Sequence, residues 1–199
     1  MTERDETNTP DRPDLGAFRW TLTDTGWLVL SIVATAVVFA RSMAGEFVYD
    51  DLVLIQRNPL LVDLANIPTL LTRTYWEFLD PGSASQIGYW RPLSAIAHTI
   101  AWAMGNGDPA PFHALCVALH AAATGTAFLL VRRLTGVTWI AGASALLFGL
   151  HPLHVESVAW ISAMNDPLVG VFSLLSAFAY LRWRQRGSRR THSRRGRTS

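Results

Sequence analysis

The 199-residue chain contains no lysine and a single cysteine. With Cys116 alone no intrachain disulfide can form, and a thiol inside an apolar run reads as a small packing residue that carries no information about redox compartment. All 17 basic residues are therefore arginines, which reads as a coding preference rather than a mechanism, and membrane orientation has to be taken from arginine alone. Charge is sparse: charged residues make up 16% of the chain against 50% hydrophobic ones, with a mean hydropathy of +0.21. The first 20 residues are polar and acidic, and the first apolar run lacks an Ala-x-Ala-like cleavage site. A cleaved signal is not expected, and that run should stay as an anchor.

What is present is apolar sequence in blocks rather than in amphipathic stripes, which predicts an all-α polytopic membrane protein. About four spans are expected, at 27–44, 111–131, 137–153 and 167–183, within a membrane module over 23–183. A disordered tail (1–22) precedes it and a basic tail (184–199) follows. Trp20 and Trp27 are candidate interfacial anchors. The segment 45–110 is punctuated by Asn58-Pro59, Asn66-Ile67-Pro68 and Asp80-Pro81-Gly82, so it cannot be one helix. Asn66 should cap a short helix over 68–78, and 92–104, about 20 Å long as a helix, should lie at the interface or re-enter. Arg132, Arg133 and the arginines from Arg182 onward mark the cytoplasmic side. Both termini are then cytoplasmic, and the outward loops 45–110 and 151–166 meet on one face.

Asp50 and Asp51 follow directly on the first span. An Asp at the bilayer centre costs roughly 2.5–3.5 kcal/mol, so the pair should sit just outside the hydrocarbon, where an enzyme acting on a lipid-carried substrate needs a base. The alternative is a pair that ends a juxtamembrane turn. Arg91, behind Tyr89 and Trp90, reads either as a bidentate phosphate ligand or as a snorkelling cation in an aromatic belt. His151, His154 and Glu156 are zinc-ligand types, but on a helix 156 points away from the face shared by 151 and 154, and His-Glu-x-x-His is absent. They read better as cleft-lining or loop-packing residues than as a metal site. His113 and His120 fall on one helical stripe and are expected to bond a neighbouring helix. Gly142, Ser144 and Gly149 suggest close helix packing. The arginine-rich tail reads as an orientation signal touching anionic lipid, not as a nucleic-acid site.

Phe47-Val48-Tyr49-Asp50-Asp51, Asn58-Pro59, Tyr89-Trp90-Arg91-Pro92-Leu93, and His151-Pro152-Leu153-His154-Val155-Glu156-Ser157-Val158-Ala159-Trp160-Ile161-Ser162 with Asp166 together resemble the amino-terminal part of the transmembrane and tetratricopeptide-repeat protein O-mannosyltransferases, members of the C-type glycosyltransferase superfamily. The resemblance covers about residues 26–183. It implies a C-type glycosyltransferase-like fold with interfacial helices in a long first outward loop. It also implies sugar transfer, with mannose as the family's sugar, from a polyprenyl-phosphate donor to a protein hydroxyl on the outer face of a bacterial inner membrane. By motif position Asp50 is the implied base, and Asp51 orients it or binds a divalent cation. Arg91 with Tyr89 would take the donor phosphate, and His154 and Glu156 would line the cleft.

Two departures accompany the match. Met164 and Asn165 stand where many relatives carry a basic residue, and neither the further spans nor the repeats of the family are in this chain. The expectations are therefore an enzyme incomplete alone, a subunit whose remaining spans come from a second polypeptide, or a noncatalytic scaffold or inactive truncated remnant.

Overall fold

The first helix begins at a capping box. Thr21 accepts the backbone N–H of Asp24 through its hydroxyl, and the Asp24 carboxylate accepts the Thr21 N–H at 2.8 Å. This cap starts α1 (Leu22–Phe39) at Leu22 rather than at residue 27, and a 3-10 turn continues it to Ala44. The computed structural model describes residues 19–74, 77–79 and 89–195, with side chains through 185. The 1–18 tail, the Asp80-Pro81-Gly82 turn and the side chains of the 186–199 arginine stretch lie outside the described residues.

Burial along α1 runs opposite to that of a water-soluble helix. Asp24, Ser31 and Thr35 are buried while Val29, Leu30, Val33, Val37 and Val38 are exposed. Lipid tails are as apolar as valine, so nothing drives these side chains inward, whereas polar groups must find partners inside the protein. The Ser31 and Thr35 hydroxyls accordingly donate to the carbonyls of Trp27 and Ser31, each at 2.8 Å. Small and polar residues likewise fill the inner face of α4 (Pro109–Thr135), among them His120, Ala123, Thr124 and Gly125.

Helix α4 is the central element, packed against α1, α3 (Pro92–Gly105), α5 (Thr138–Gly149) and α7 (Asn165–Arg195). Asp108 caps its start by accepting the Ala110 N–H at 2.8 Å, with Pro109 in the first turn where a missing N–H costs nothing. Gly136 ends it at φ 72°, a left-handed conformation suited to glycine. Three segments are long and apolar enough to cross a membrane: Leu22–Ala44, Pro109–Thr135 and Ile161–Gln185. The fourth expected span is represented by α5, whose 12 residues cover about 18 Å of the roughly 30 Å hydrocarbon. It stops where the Gly149 carbonyl accepts a hydrogen bond from His120 Nε2 at 3.0 Å. Close packing of α5 needs its glycines, because a Cβ on Gly142 would run into the Trp27 ring and one on Gly149 into the Thr35 and Thr124 hydroxyls.

Between α1 and α3 the turn formers act one by one. Asn58 caps a 3-10 turn over Pro59–Leu61 and Asp63 caps another over Leu64–Asn66. Asn66 makes no side-chain cap, and the helix expected over 68–78 is only α2, Ile67–Leu70. Asp63 has already begun the turn that leads into α2, so Asn66 is the last residue of that turn and not an extended cap. As expected, α3 is short, 14 residues, and packs on the start of α4 through His98 and Trp102 against Phe112.

At the far end of the bundle Arg132 binds the Asp24 carboxylate through Nε and Nη2, and the Thr138 hydroxyl donates to the same carboxylate at 2.7 Å. The start of α1, the end of α4 and the start of α5 are thereby joined. Arg132, one of the arginines that mark an orientation in the sequence, is also a buried partner of Asp24. Asp24→Ala would remove the carboxylate from that buried guanidinium, and is expected to lower unfolding stability in detergent by about 3–5 kcal/mol. The double substitution Asp24→Leu with Arg132→Met should recover most of the loss.

Candidate active site

Tyr49 adopts φ 49°, uncommon for a residue with a bulky side chain, and reverses the chain just before the acidic pair. A π-helical turn over Leu52–Gln56 follows, with the Leu52 N–H donating to the Tyr49 carbonyl and those of Val53 and Leu54 to the Asp50 carbonyl. Successive residues of such a turn diverge in direction. Asp50 is exposed, and Asp51 is wholly buried.

Every oxygen of Asp51 is engaged. Oδ1 accepts the Ser162 backbone N–H at 2.8 Å and the Ser162 hydroxyl, and Oδ2 accepts the Val48 N–H at 3.2 Å. Ser162 belongs to the 3-10 turn Ile161–Ala163, 111 positions further along, so one carboxylate joins the two sequence blocks that carry the resemblance. The turn is held on its other side by His98, whose Nε2 lies 3.3 Å from the Ile161 carbonyl oxygen. Burial pushes the His98 imidazole down to about 4, so it is neutral near pH 7 and donates to that oxygen. His113, 2% exposed, comes in from α4 with its ring against Gly45.

A second polar cluster surrounds Arg91. Its guanidinium lies 5.0 Å from the Tyr89 ring centroid and donates to Asn165 Oδ1 at 3.3 Å. Asn165 in turn donates to Asp166 at 2.8 Å, and the Ser157 hydroxyl donates to Asp166 at 3.0 Å. Asn165 is thus an acceptor for the Arg91 guanidinium.

The histidines form a third group. His154, at the start of α6 (His154–Ala159), has its ring centroid 4.8 Å from that of His120 and 6.2 Å from that of His151. Burial, and then the neighbouring His151, hold the His154 imidazole below its ordinary range. Glu156 is exposed and stands apart from the ring stack. No three His, Cys, Asp or Glu side chains converge as a metal-ligand set among the described residues, and the three bonds to Asp51 leave its oxygens already satisfied. The residues present do not fit a divalent cation at Asp51.

The structure therefore brings Asp51 to Ser162 and Arg91 to Tyr89 and Asn165, while His154 packs in the histidine group and Asp50 and Glu156 stand exposed. Sequence reasoning quoted Ser162 without giving it a role and did not single out His98. A hydroxyl and a histidine inside apolar stretches were the available signal.

Over most of its length the chain is similar to proteins named protein O-mannosyl-transferase. Against tmtc2 of Xenopus laevis it is 32% identical over 157 residues, which is 77% of this chain and 18% of the relative. Against Tmtc1 of Drosophila melanogaster the figures are 31% over 148 residues, 73% and 17%, and against human TMTC4 30% over 186 residues, 84% and 25%. The chain is a TMTC homologue. The match is consistent with the N-terminal part of that family, and the TMTC homologue spans 17% to 25% of the length of these relatives. No family model and no solved structure matches it.

His98 gives this homologue a pH signature. Its folded pKa is depressed, so the unfolded chain takes up a proton that the native state refuses, and stability falls as pH drops from about 6.5 towards about 4. Unfolding midpoints across that window should decline less steeply in His98→Phe than in the parent.

Proposed function

We propose that the chain forms part of a membrane glycosyltransferase centre that passes a sugar, mannose by family expectation, from a polyprenyl-phosphate donor to a protein hydroxyl. The acceptor oxygen attacks the anomeric carbon, the bond from that carbon to the phosphate oxygen breaks, and the carrier leaves as its phosphate anion. The acceptor's proton goes to Asp50, whose exposed carboxylate is open to an incoming substrate. Asp51 positions Asp50 through the backbone and does no proton chemistry. Arg91, steadied by Tyr89 and Asn165, offers the cation that a developing phosphate anion needs, with His154 and Glu156 on the neighbouring helix α6.

The observation that carries this reading is the bond from Asp51 to Ser162, which draws the acidic pair and the block containing His154 and Glu156 into one neighbourhood. Because these relatives are four to five times longer, or nearly so, activity is proposed for the assembled centre, completed by sequence or a partner beyond this chain. A second reading, a noncatalytic membrane scaffold, is favoured by the same carboxylate, since three internal bonds give Asp51 a purely structural role.

Two substitutions separate them. Asp50→Asn should lower sugar transfer in membranes by about 10²–10⁴ while leaving thermal stability unchanged, whereas unchanged transfer by a stably inserted protein would leave only the scaffold. Asp51→Ala should instead destabilise, by about 1–3 kcal/mol for each buried donor it orphans. Orientation is tested separately, with the outward loops on one face and both termini in the cytoplasm of a bacterial inner membrane. Cys116 is buried, so a cysteine placed at Val62, which is exposed, should react with an impermeant thiol reagent from outside, and one at exposed Thr135 should not.

A further inference from the structure

Helix α5 stops halfway up the bundle. Gly149 packs against Thr35 and Thr124, which lie about 16 Å along α1 and about 12 Å along α4 from the Asp24–Arg132 junction. Against a hydrocarbon core of roughly 30 Å, the break after α5 is near mid-depth. The chain turns over 150–153 and restarts as α6 beside His120, the residue that also takes the Gly149 carbonyl. Of the carbonyls that end α5, those of Phe148 and Gly149 are bonded, while those of Leu147 and Leu150 have no partner among the described residues. Lipid offers no donor, so irregular backbone at this depth is stable only against protein or water.

The exposed side of α6 continues that surface. Leu153 and Val155 are 79% and 54% exposed, and the exposed Glu156 lies between them around the helix. Glu156 follows closely on His154, whose ring is 4.8 Å from that of His120, about 18 Å along α4 from Arg132, so it too falls within the depth of the core. Its carboxylate has no hydrogen bond or ion pair among the described residues. Ionisable side chains at such depth pair with one another or face water. Water is a poor cover here, because Leu147, Leu150, Leu153 and Val155 surround the break and give it nothing to bond.

We propose that a transmembrane helix from outside this chain packs across the α5–α6 break, on Leu150, Leu153 and Val155, and sets a cationic side chain against Glu156. Helices in a bilayer associate through close packing and interhelical hydrogen bonds, not through hydrophobic drive. The open carboxylate and the two open carbonyls therefore select this surface over the valine face of α1, whose helix already satisfies its own backbone. An arginine suits the place, since its several donors can serve a carboxylate and a carbonyl together. Relatives of which the chain spans 17% to 25% contain further sequence to supply such cover. The inference rests on the reading of a centre assembled with sequence beyond this chain, and names the surface at which assembly happens.

The probe is p-benzoylphenylalanine, a photo-crosslinking residue, placed at Leu153 or Val155 of the full chain and irradiated in the membranes of the cell that makes it. Both positions should yield an adduct whose crosslinked peptide lies in a transmembrane segment carrying Arg or Lys, and the same probe at Val33 on α1 should yield only lipid adducts. Glu156→Gln should lower the yield at Leu153 by about tenfold, with Glu156→Asp retaining most of it. The purified chain in detergent should melt at the same temperature with Glu156→Gln as without, because the carboxylate bonds nothing within it. The proposal is overturned by lipid adducts alone at Leu153, by an adduct with a second copy of this chain, or by a partner peptide without a cation. It is equally overturned if Glu156→Gln leaves the yield unchanged or lowers the melting temperature, or if a cysteine at Val155 reacts with an impermeant thiol reagent, the mark of a water-filled recess. Asp50→Asn should leave the adduct intact, so adduct without transfer would defeat the transfer reading and leave this interface standing.

Discussion

A carboxylate sealed from solvent is tolerable only when hydrogen bonds replace the water it has lost, and Asp51 meets that condition with three. Each hydrogen bond to a charged acceptor contributes about 1.5–3 kcal/mol, and all three fail together if the side chain is removed. The loop after α1 and the turn before α7 have no other hydrogen bond between their described side chains and backbone of comparable burial. This junction ties the loop that carries Asp50 to the turn that follows α6.

The opposite end of the bundle repeats the device with other chemistry. Asp24 there gathers Arg132 and Thr138 while also capping its own helix. Between the two ends the helices meet through small residues and self-bonded hydroxyls, and their large apolar side chains face outward. In a bilayer such contacts supply packing but little directional force, so polar junctions at the two ends set which helix faces which. A site assembled from residues after α1, before α3 and before α7 depends on that pinning, because none of its segments is long enough to hold a geometry alone.

The spans were legible because hydropathy in blocks is a one-dimensional signal. Their limits were less so: α1 begins at Leu22 because Thr21 and Asp24 cap each other, and α5 ends at Gly149 because His120 takes the carbonyl there. Within the candidate site, the acidic pair, Arg91 and the His154 block were visible as unusual residue types beside apolar runs. The division of labour inside the pair was not. Both are Asp, adjacent and equally charged in sequence, and only the left-handed turn at Tyr49 sends one outward and the other into the protein.

By itself the sequence determined a helical membrane protein, the approximate register of its apolar segments and its kinship with the TMTC proteins, because composition and motif survive without reference to contacts. Tertiary structure alone decided that Asp51 answers to Ser162 and that Arg132 answers to Asp24. The physical reason is the same for each. A buried polar group takes its role from whichever partner the fold brings within about 3 Å, and for these residues that partner lies tens of positions away along the chain or more.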